Sequence, residues 1–285
     1  IPATGHIQET LKSLNTQSIK YALSSKPFAS VSNMNEMLSL RLNNDQKDIF
    51  IQSYKEVGSD NGALWTALQE KGFSTEQVSK LQLDGRLGFL TANNATLIKK
   101  LYENFRINND IELAASGLYK ASEWKKIIGQ EKPAEISADE YAMHLANQVK
   151  MSYPTAVAAE IIKRDEVNLG SQIPKEEVVN FFILNQTKNI LGTNPVKTWD
   201  GFARLSPEAK ATAKTYERLY QLTPSEEALA ALADTGYHSA YQIAKYTKNE
   251  FLMAHGERFP DMKQAELTYT KASEVYSASL GIATT

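Results

Sequence analysis

The chain contains no cysteine, which removes disulfides, thiolate metal ligands and cysteine nucleophiles together. It has no cationic excess either: 31 Lys and Arg face 33 Asp and Glu, a formal net charge of -2. Binding to a phosphate backbone rests on a basic surface and counterion release, so this balance argues against nucleic acid as a partner. No apolar run reaches the length of about eighteen residues that a membrane-spanning helix needs. The chain opens Ile1-Pro2, with no methionine and no charged, apolar leader, and reads as a fragment of a longer polypeptide. Histidine is scarce, at four residues, and none stands in a zinc-protease pair or a Cys/His cluster.

What is present is an ordinary folding composition, 42% apolar and 22% charged. That is wrong for a disordered chain. At this length roughly three quarters of the unfolded surface can be buried in one large helical domain or two smaller ones.

Helical periodicity dominates. Ile7, Leu11, Leu14, Ala22 and Leu23 form one apolar stripe; Tyr141, Leu145 and Val149 form another, and Ala209, Ala213, Tyr216, Leu219 and Tyr220 a third. No alternating apolar-polar run flanks a hairpin turn, so strands are not expected.

Helix starts are well marked. Ser74-Thr75-Glu76-Gln77, Ser137-Ala138-Asp139-Glu140, Thr223-Pro224-Ser225-Glu226 and Thr247-Lys248-Asn249-Glu250 fit the capping box, in which a hydroxyl takes an orphan N–H and a later Glu or Gln reaches back. Pro207 and Pro224 follow Ser206 and Thr223, where a missing N–H costs nothing. Gly72, Gly129, Gly236 and Gly256 stand where helices should stop in a left-handed residue.

The pattern predicts an all-α fold: an irregular bundle of short and medium helices with helix–turn–helix corners. Two looser stretches, Gly129 to Pro133 and Asn185 to Asp200, suggest soft boundaries. They divide the chain into an N-terminal helical part (1–130), middle helices with an irregular segment (131–200) and a C-terminal helical part (201–285). A weak internal similarity joins Leu68, Gly72, Phe73 and Ser74 to Leu232, Gly236, Tyr237 and His238, then Ser239. It describes a helix corner with an aromatic packed across it, without the short period of a solenoid.

Candidate chemistry is thin. Glu140 and His144 share a helix face, which an ordinary surface pair explains. His255 precedes Gly256, where a helix dipole favours a cation. The pairs Asp139-Glu140, Glu176-Glu177 and Glu226-Glu227 each fall in a first helical turn, so capping accounts for them without acid-base catalysis. There is no Gly-x-Ser-x-Gly elbow, and Gly85-Arg86-Leu87-Gly88 lacks the spacing of a phosphate loop. Asn94-Ala95-Thr96 and Asn185-Gln186-Thr187 match the glycosylation triplet, a short pattern frequent by chance.

The corner at Gly236 is the one place where binding is considered, with Gly236, Tyr237, Ser239 and Tyr241 as candidates. Gly236-Tyr237-His238 with Ala240 and Ile243 approximates a helix-hairpin-helix turn that would bind a nucleic-acid backbone, but His238 replaces the second glycine. Seven of the thirteen tyrosines lie between Tyr216 and Tyr276. The pairs Tyr216/Tyr220 and Tyr237/Tyr241 are each spaced by four, and so each is expected on one helix face. They could form a platform for a protein or sugar, although packing between helices explains them, as it does Trp65, Trp124 and Trp199.

A succession of phrases carries a family resemblance. In order they are Gly72-Phe73; Leu81-Gln82-Leu83 to Gly88, then Leu90-Thr91-Ala92-Asn93-Asn94; Tyr141 with Leu145-Ala146 and Val149; Tyr153-Pro154-Thr155-Ala156-Val157; Phe181-Phe182 with Asn185; Leu219-Tyr220-Gln221-Leu222-Thr223-Pro224; and Ser239-Ala240 with Ile243 and Phe251. This order resembles the helical part of the large A subunits of bacterial Tc-type insecticidal toxin complexes and their neuraminidase-like-domain relatives. Relatives often continue with Asn-Pro after the paired phenylalanines, where this chain has Asn185-Gln186-Thr187.

The resemblance implies a secreted, non-catalytic segment of a helical outer shell in a pentameric injection device. Separate B and C subunits would supply the toxic enzyme. Expected partners are neighbouring protomers, other domains of the full-length chain and a host cell-surface receptor. No cofactor, metal, nucleic acid or direct membrane insertion is expected, and sialidase activity would belong to a neighbouring β-rich region.

Overall fold

Side-chain caps mark where many of the helices begin. The computed structural model describes residues 30–58, 60–170 and 173–283, except the side chains of 61 and 281–283. The apolar stripe expected from Ile7 to Leu23 lies outside the described residues. About 68% of the chain is helical and no strand occurs among the described residues, so the fold is all-α. Two compact units are formed, Ile1–Met151 and Ser152–Thr285.

The first unit carries α1 (Met34–Leu38), α2 (Asn44–Val57), α3 (Asn61–Glu70), α4 (Thr75–Leu90), α5 (Ala95–Phe105), α6 (Glu112–Ala115), α7 (Ala121–Ile127) and α8 (Ala138–Ser152). Reciprocal capping boxes start α1 at Asn33 with Glu36, α2 at Asn43 with Gln46 and α4 at Ser74 with Gln77. Ser137 and Glu140 make the same pair of bonds ahead of α8. Each such cap contributes on the order of 1 kcal/mol. With the start of each helix set, its apolar face is set as well. Leu38, Leu42, Leu64, Leu68, Phe73, Val78 and Leu81 form a core cluster, against which Trp65 packs.

Phe73 enters that core because α3 ends in a left-handed turn: Gly72 has φ +95°, and the Phe73 N–H donates to the Leu68 carbonyl at 3.0 Å. A second tie holds α8. The buried Tyr141 hydroxyl donates to the Thr91 carbonyl at 2.6 Å, while the Asn94 amide nitrogen lies 3.3 Å from that hydroxyl and donates to the Glu131 carbonyl at 2.9 Å. Trp124 is fully buried, with its indole N–H on the Leu118 carbonyl.

The second unit carries α9 (Pro154–Lys163), α10 (Lys175–Asn185), 3-10 turns at Val196–Thr198 and Phe202–Arg204, α11 (Pro207–Leu222), α12 (Glu226–Asp234), α13 (Ala240–Ala244), α14 (Lys248–His255), a third 3-10 turn at Gly256–Arg258 and α15 (Met262–Ala283). α9 packs along α10, and α13 and α14 pack on α15. Between α10 and α11 an aromatic group closes the core. Phe181 stacks on Trp199 at 5.9 Å, and Phe182 meets Tyr216 edge-on at 5.7 Å.

The stretch from Asn185 to Asp200 lacks regular helix but is tied at both ends. Asn185 is fully buried, and its amide donates to the Phe181 and Asp200 carbonyls at 2.9 and 3.0 Å. The Thr155 hydroxyl donates to the Asn189 carbonyl and accepts from the Leu191 N–H. Backbone groups that no helix satisfies are thus paired by buried side chains.

Several expected boundaries are corrected. Thr223 does not open α12. It closes α11, its hydroxyl donating to the Leu219 carbonyl, and Ser225 takes the cap by accepting from the Ala228 N–H. Pro224 therefore stands outside the helix, whereas Pro207 is in the first turn of α11 as expected.

Of the four glycines placed at helix ends, only Gly72 and Gly236 (φ +76°) are left-handed. Ile128 closes α7 in extended backbone ahead of Gly129. Gly256 keeps helical φ, and an added Cβ would lie 3.2 Å from the flexible end of Met262. Both glycosylation triplets have a buried asparagine already holding the fold, since Asn94 caps α5 and Asn185 pins the stretch after α10.

Candidate functional site

The Gly236 corner is built as a link between helices. The Gly236 N–H donates to the Ala233 carbonyl, the Tyr237 N–H to the Thr235 hydroxyl at 3.3 Å, and the His238 N–H to Oε1 of Gln242 at 2.7 Å. A phosphate-binding turn needs these N–H groups facing outward and unpaired. Here all three have acceptors within the chain. Ser239 starts α13, but its hydroxyl lies toward Gln242 rather than on a backbone N–H.

The two aromatic candidates diverge. Tyr237 precedes α13 rather than lying on it, and so does not share a helix face with Tyr241. Its hydroxyl donates to that of Tyr246 at 2.8 Å and lies 2.9 Å from Nε2 of His255. Burial and the Tyr246 hydroxyl push the Tyr237 phenol up to about 12. Tyr241 is half exposed, faces Tyr276 at 5.5 Å between centroids, and lies under the Lys245 ammonium at 4.4 Å. Tyr216 and Tyr220 both lie on α11, four apart as expected, with Tyr216 fully buried in the aromatic core and Tyr220 beside Gly192.

His255 ends α14, where the dipole of the helix would favour its charged form. The opposite prevails: burial, and then the Arg258 cation, hold its pKa below the ordinary histidine value. Its Nδ1 is buried with no hydrogen-bond partner.

The carboxylates have structural partners. Glu140 accepts from the Ser137 N–H, which holds its pKa below the usual range. Glu177 reaches away from its own helix to cap another, accepting from the Ser206 N–H at 2.7 Å and hydroxyl at 2.6 Å. Capping is thus its role, though of α11 rather than of the helix it belongs to. Glu160, buried on α9, holds Lys163 and Arg164 at 2.9 and 3.1 Å. No group of three or more His, Asp or Glu side chains is placed to hold a metal among the described residues.

A second site emerges only in three dimensions, in the first unit. Arg41, on the connection from α1 to α2, donates from Nε to Asp84 Oδ2 at 3.1 Å. Its guanidinium lies 4.1 Å over the Tyr102 ring, and the Tyr102 hydroxyl donates to Asp84 Oδ1. Burial raises Asp84 above the usual carboxylate range even against these two partners. Burial and Asp84 together hold the Tyr102 phenol protonated.

This group stands beside a cleft of about 470 Å³, lined among others by Lys80, Leu83, Arg106 and Ile107. Residues 41, 84 and 102 are brought together by the packing of α4 and α5 with the start of the chain's described part. No local motif announced them.

No protein-family model matches the chain. No curated protein and no solved structure matches it either.

Proposed function

We propose that this chain is a non-catalytic helical shell segment of a Tc-type toxin A subunit, secreted as part of a larger complex. It acts by shape, by helix packing and by contacts to neighbouring protomers and to the rest of its own subunit. A host cell-surface receptor is a further partner in this reading.

One observation carries the proposal: the phrases behind the family resemblance are the ones that build the helical scaffold. Leu90, Thr91, Asn94, Tyr141, Leu145 and Val149 are buried in the first unit. Thr155, Phe181, Phe182, Asn185, Leu219, Ile243 and Phe251 are buried in the second. Within them, Thr91, Asn94 and Tyr141 tie α8 down, and Thr155 and Asn185 pin the stretch after α10. A likeness concentrated in packing residues is a likeness of architecture, as expected for a part whose role is mechanical support. No helix among the described residues is long and apolar enough to cross a membrane.

Sequencing the reading frame on both sides of the chain tests the proposal. Continuation into β-rich domains and long channel-forming helices is the expected result. A frame confined to these 285 residues would overturn it. A glycosidase activity of the purified chain that a carboxylate substitution abolishes would overturn the non-catalytic part.

A further inference from the structure

Arg41 is held more rigidly than neutralising Asp84 requires. Its Nε bonds one carboxylate oxygen, its plane covers the Tyr102 ring, and Tyr102 is itself bonded to the other carboxylate oxygen. A guanidinium carries five N–H donors. Asp84 Oδ2 takes the Nε–H, and Arg41 is also one of the residues that line the cleft. Arg41 keeps 27% of its side chain exposed, whereas Asp84 beneath it keeps 7%.

The charges on the cleft do not cancel. Lys80 is paired with Glu76 at 2.6 Å and Arg41 with Asp84, while Arg106 is exposed and has no acidic partner among the described residues. The chain turns at Arg106 in a left-handed residue (φ +52°) that closes α5, which places this side chain at the rim next to Asn108. Leu83, Ile107 and Tyr102 are the apolar and aromatic residues among those that line the cleft. A volume of about 470 Å³ suits a small molecule rather than a single ion.

We propose that this cleft binds a small oxyanion ligand, a carboxylate or phosphate on a flat apolar body, with the head group held by the Arg41 fork and Arg106. A guanidinium already fixed in place loses little rotamer freedom when it takes a planar oxyanion in two-point fashion. The protonated Tyr102 phenol adds no negative charge to oppose the ligand. This inference is independent of the shell reading, since it rests on the geometry of the cleft and not on the family resemblance.

The test uses the whole chain with four probes: phenyl phosphate, benzoate, inorganic phosphate and benzylamine. Calorimetric titration should show binding of phenyl phosphate, benzoate or both. Inorganic phosphate should bind more weakly, and benzylamine not at all. Preference between the first two identifies the head group.

Arg106→Gln, at an exposed position, should weaken binding about tenfold, the loss of one charge-assisted contact. Arg41→Lys keeps a cation beside Asp84 but loses the fork, and should weaken binding by a similar factor with the helical circular dichroism spectrum unchanged. Lys197→Gln, in the other unit, should leave binding as it was. Absence of binding to the unaltered chain, equal binding of benzylamine, or affinity unchanged in both arginine variants would each overturn the proposal.

Discussion

The Tyr237 hydroxyl and Nε2 of His255 lie 2.9 Å apart, joining the turn after α12 to the last residue of α14. Nδ1 of His255 is buried with no hydrogen-bond partner among the described residues. The charged imidazolium, with both ring nitrogens protonated, would leave the buried Nδ1–H without an acceptor and stand close to Arg258.

That arrangement dictates a pH dependence. The folded His255 resists a proton that the unfolded chain accepts around the ordinary histidine value of 6.5. Below that pH the unfolded state therefore binds more protons, and stability falls as pH falls, until the depressed folded pKa is passed. Above it the contribution is flat. Urea unfolding midpoints at pH 7.5 and 5.5 should differ in this direction, and the difference should shrink in His255→Gln.

Tyr141→Phe removes one hydroxyl that serves both Thr91 and Asn94. The Thr91 carbonyl then stays buried without its side-chain donor, at a cost of about 1–3 kcal/mol. The expected result is a lower denaturation midpoint with an unchanged m-value. A change in m would mean that the unfolding transition itself had altered.

Gly236→Ala and Gly256→Ala should separate two uses of glycine. Gly236 has open space around a Cβ but a left-handed backbone, so alanine there should cost about 1 kcal/mol. Gly256 has helical φ, and its added Cβ would meet only the flexible end of Met262 and the Leu252 Cβ. Its cost should be the smaller of the two in paired thermal unfolding measurements.

Asn185→Ala should destabilise the second unit by about 1 kcal/mol, because the fully buried amide bonds to the Phe181 and Asp200 carbonyls are lost. For the same reason the folded chain, exposed to an oligosaccharyltransferase, should carry no glycan at Asn185. Mass spectrometry of the folded and urea-unfolded chain after that treatment checks this, with modification expected only after unfolding.

Much of the fold was legible because its signals are local. Ser74 with Gln77, Ser137 with Glu140 and Thr247 with Glu250 cap helices as their spacing predicts. Thr223 was misread because two hydroxyls, Thr223 and Ser225, compete for one helix start, and the backbone turn decides which is used. His255 was misread because the dipole at a helix end is visible in sequence, whereas the burial that outweighs it is not.

The candidate sites divide in the same way. Gly236, Tyr237, Ser239 and Tyr241 could be named from one short phrase, but the structure turns Tyr237 toward His255 and Tyr241 toward Tyr276. Arg41 and Asp84 are separated by 43 positions, and Asp84 and Tyr102 by 18. No periodicity or motif links them.

By itself the sequence determined the helical class, several helix starts and the absence of cysteine chemistry. Each follows from residues within one or two turns of one another, where hydrogen-bond geometry is set by chain connectivity. Tertiary structure alone decided that Arg41 stacks on Tyr102 beside a cleft, that Glu177 caps a helix other than its own, and that Asn185 is buried. Those outcomes depend on which helix faces meet. Packing settles that through shape and burial summed over many side chains, a sum that no short stretch of sequence contains.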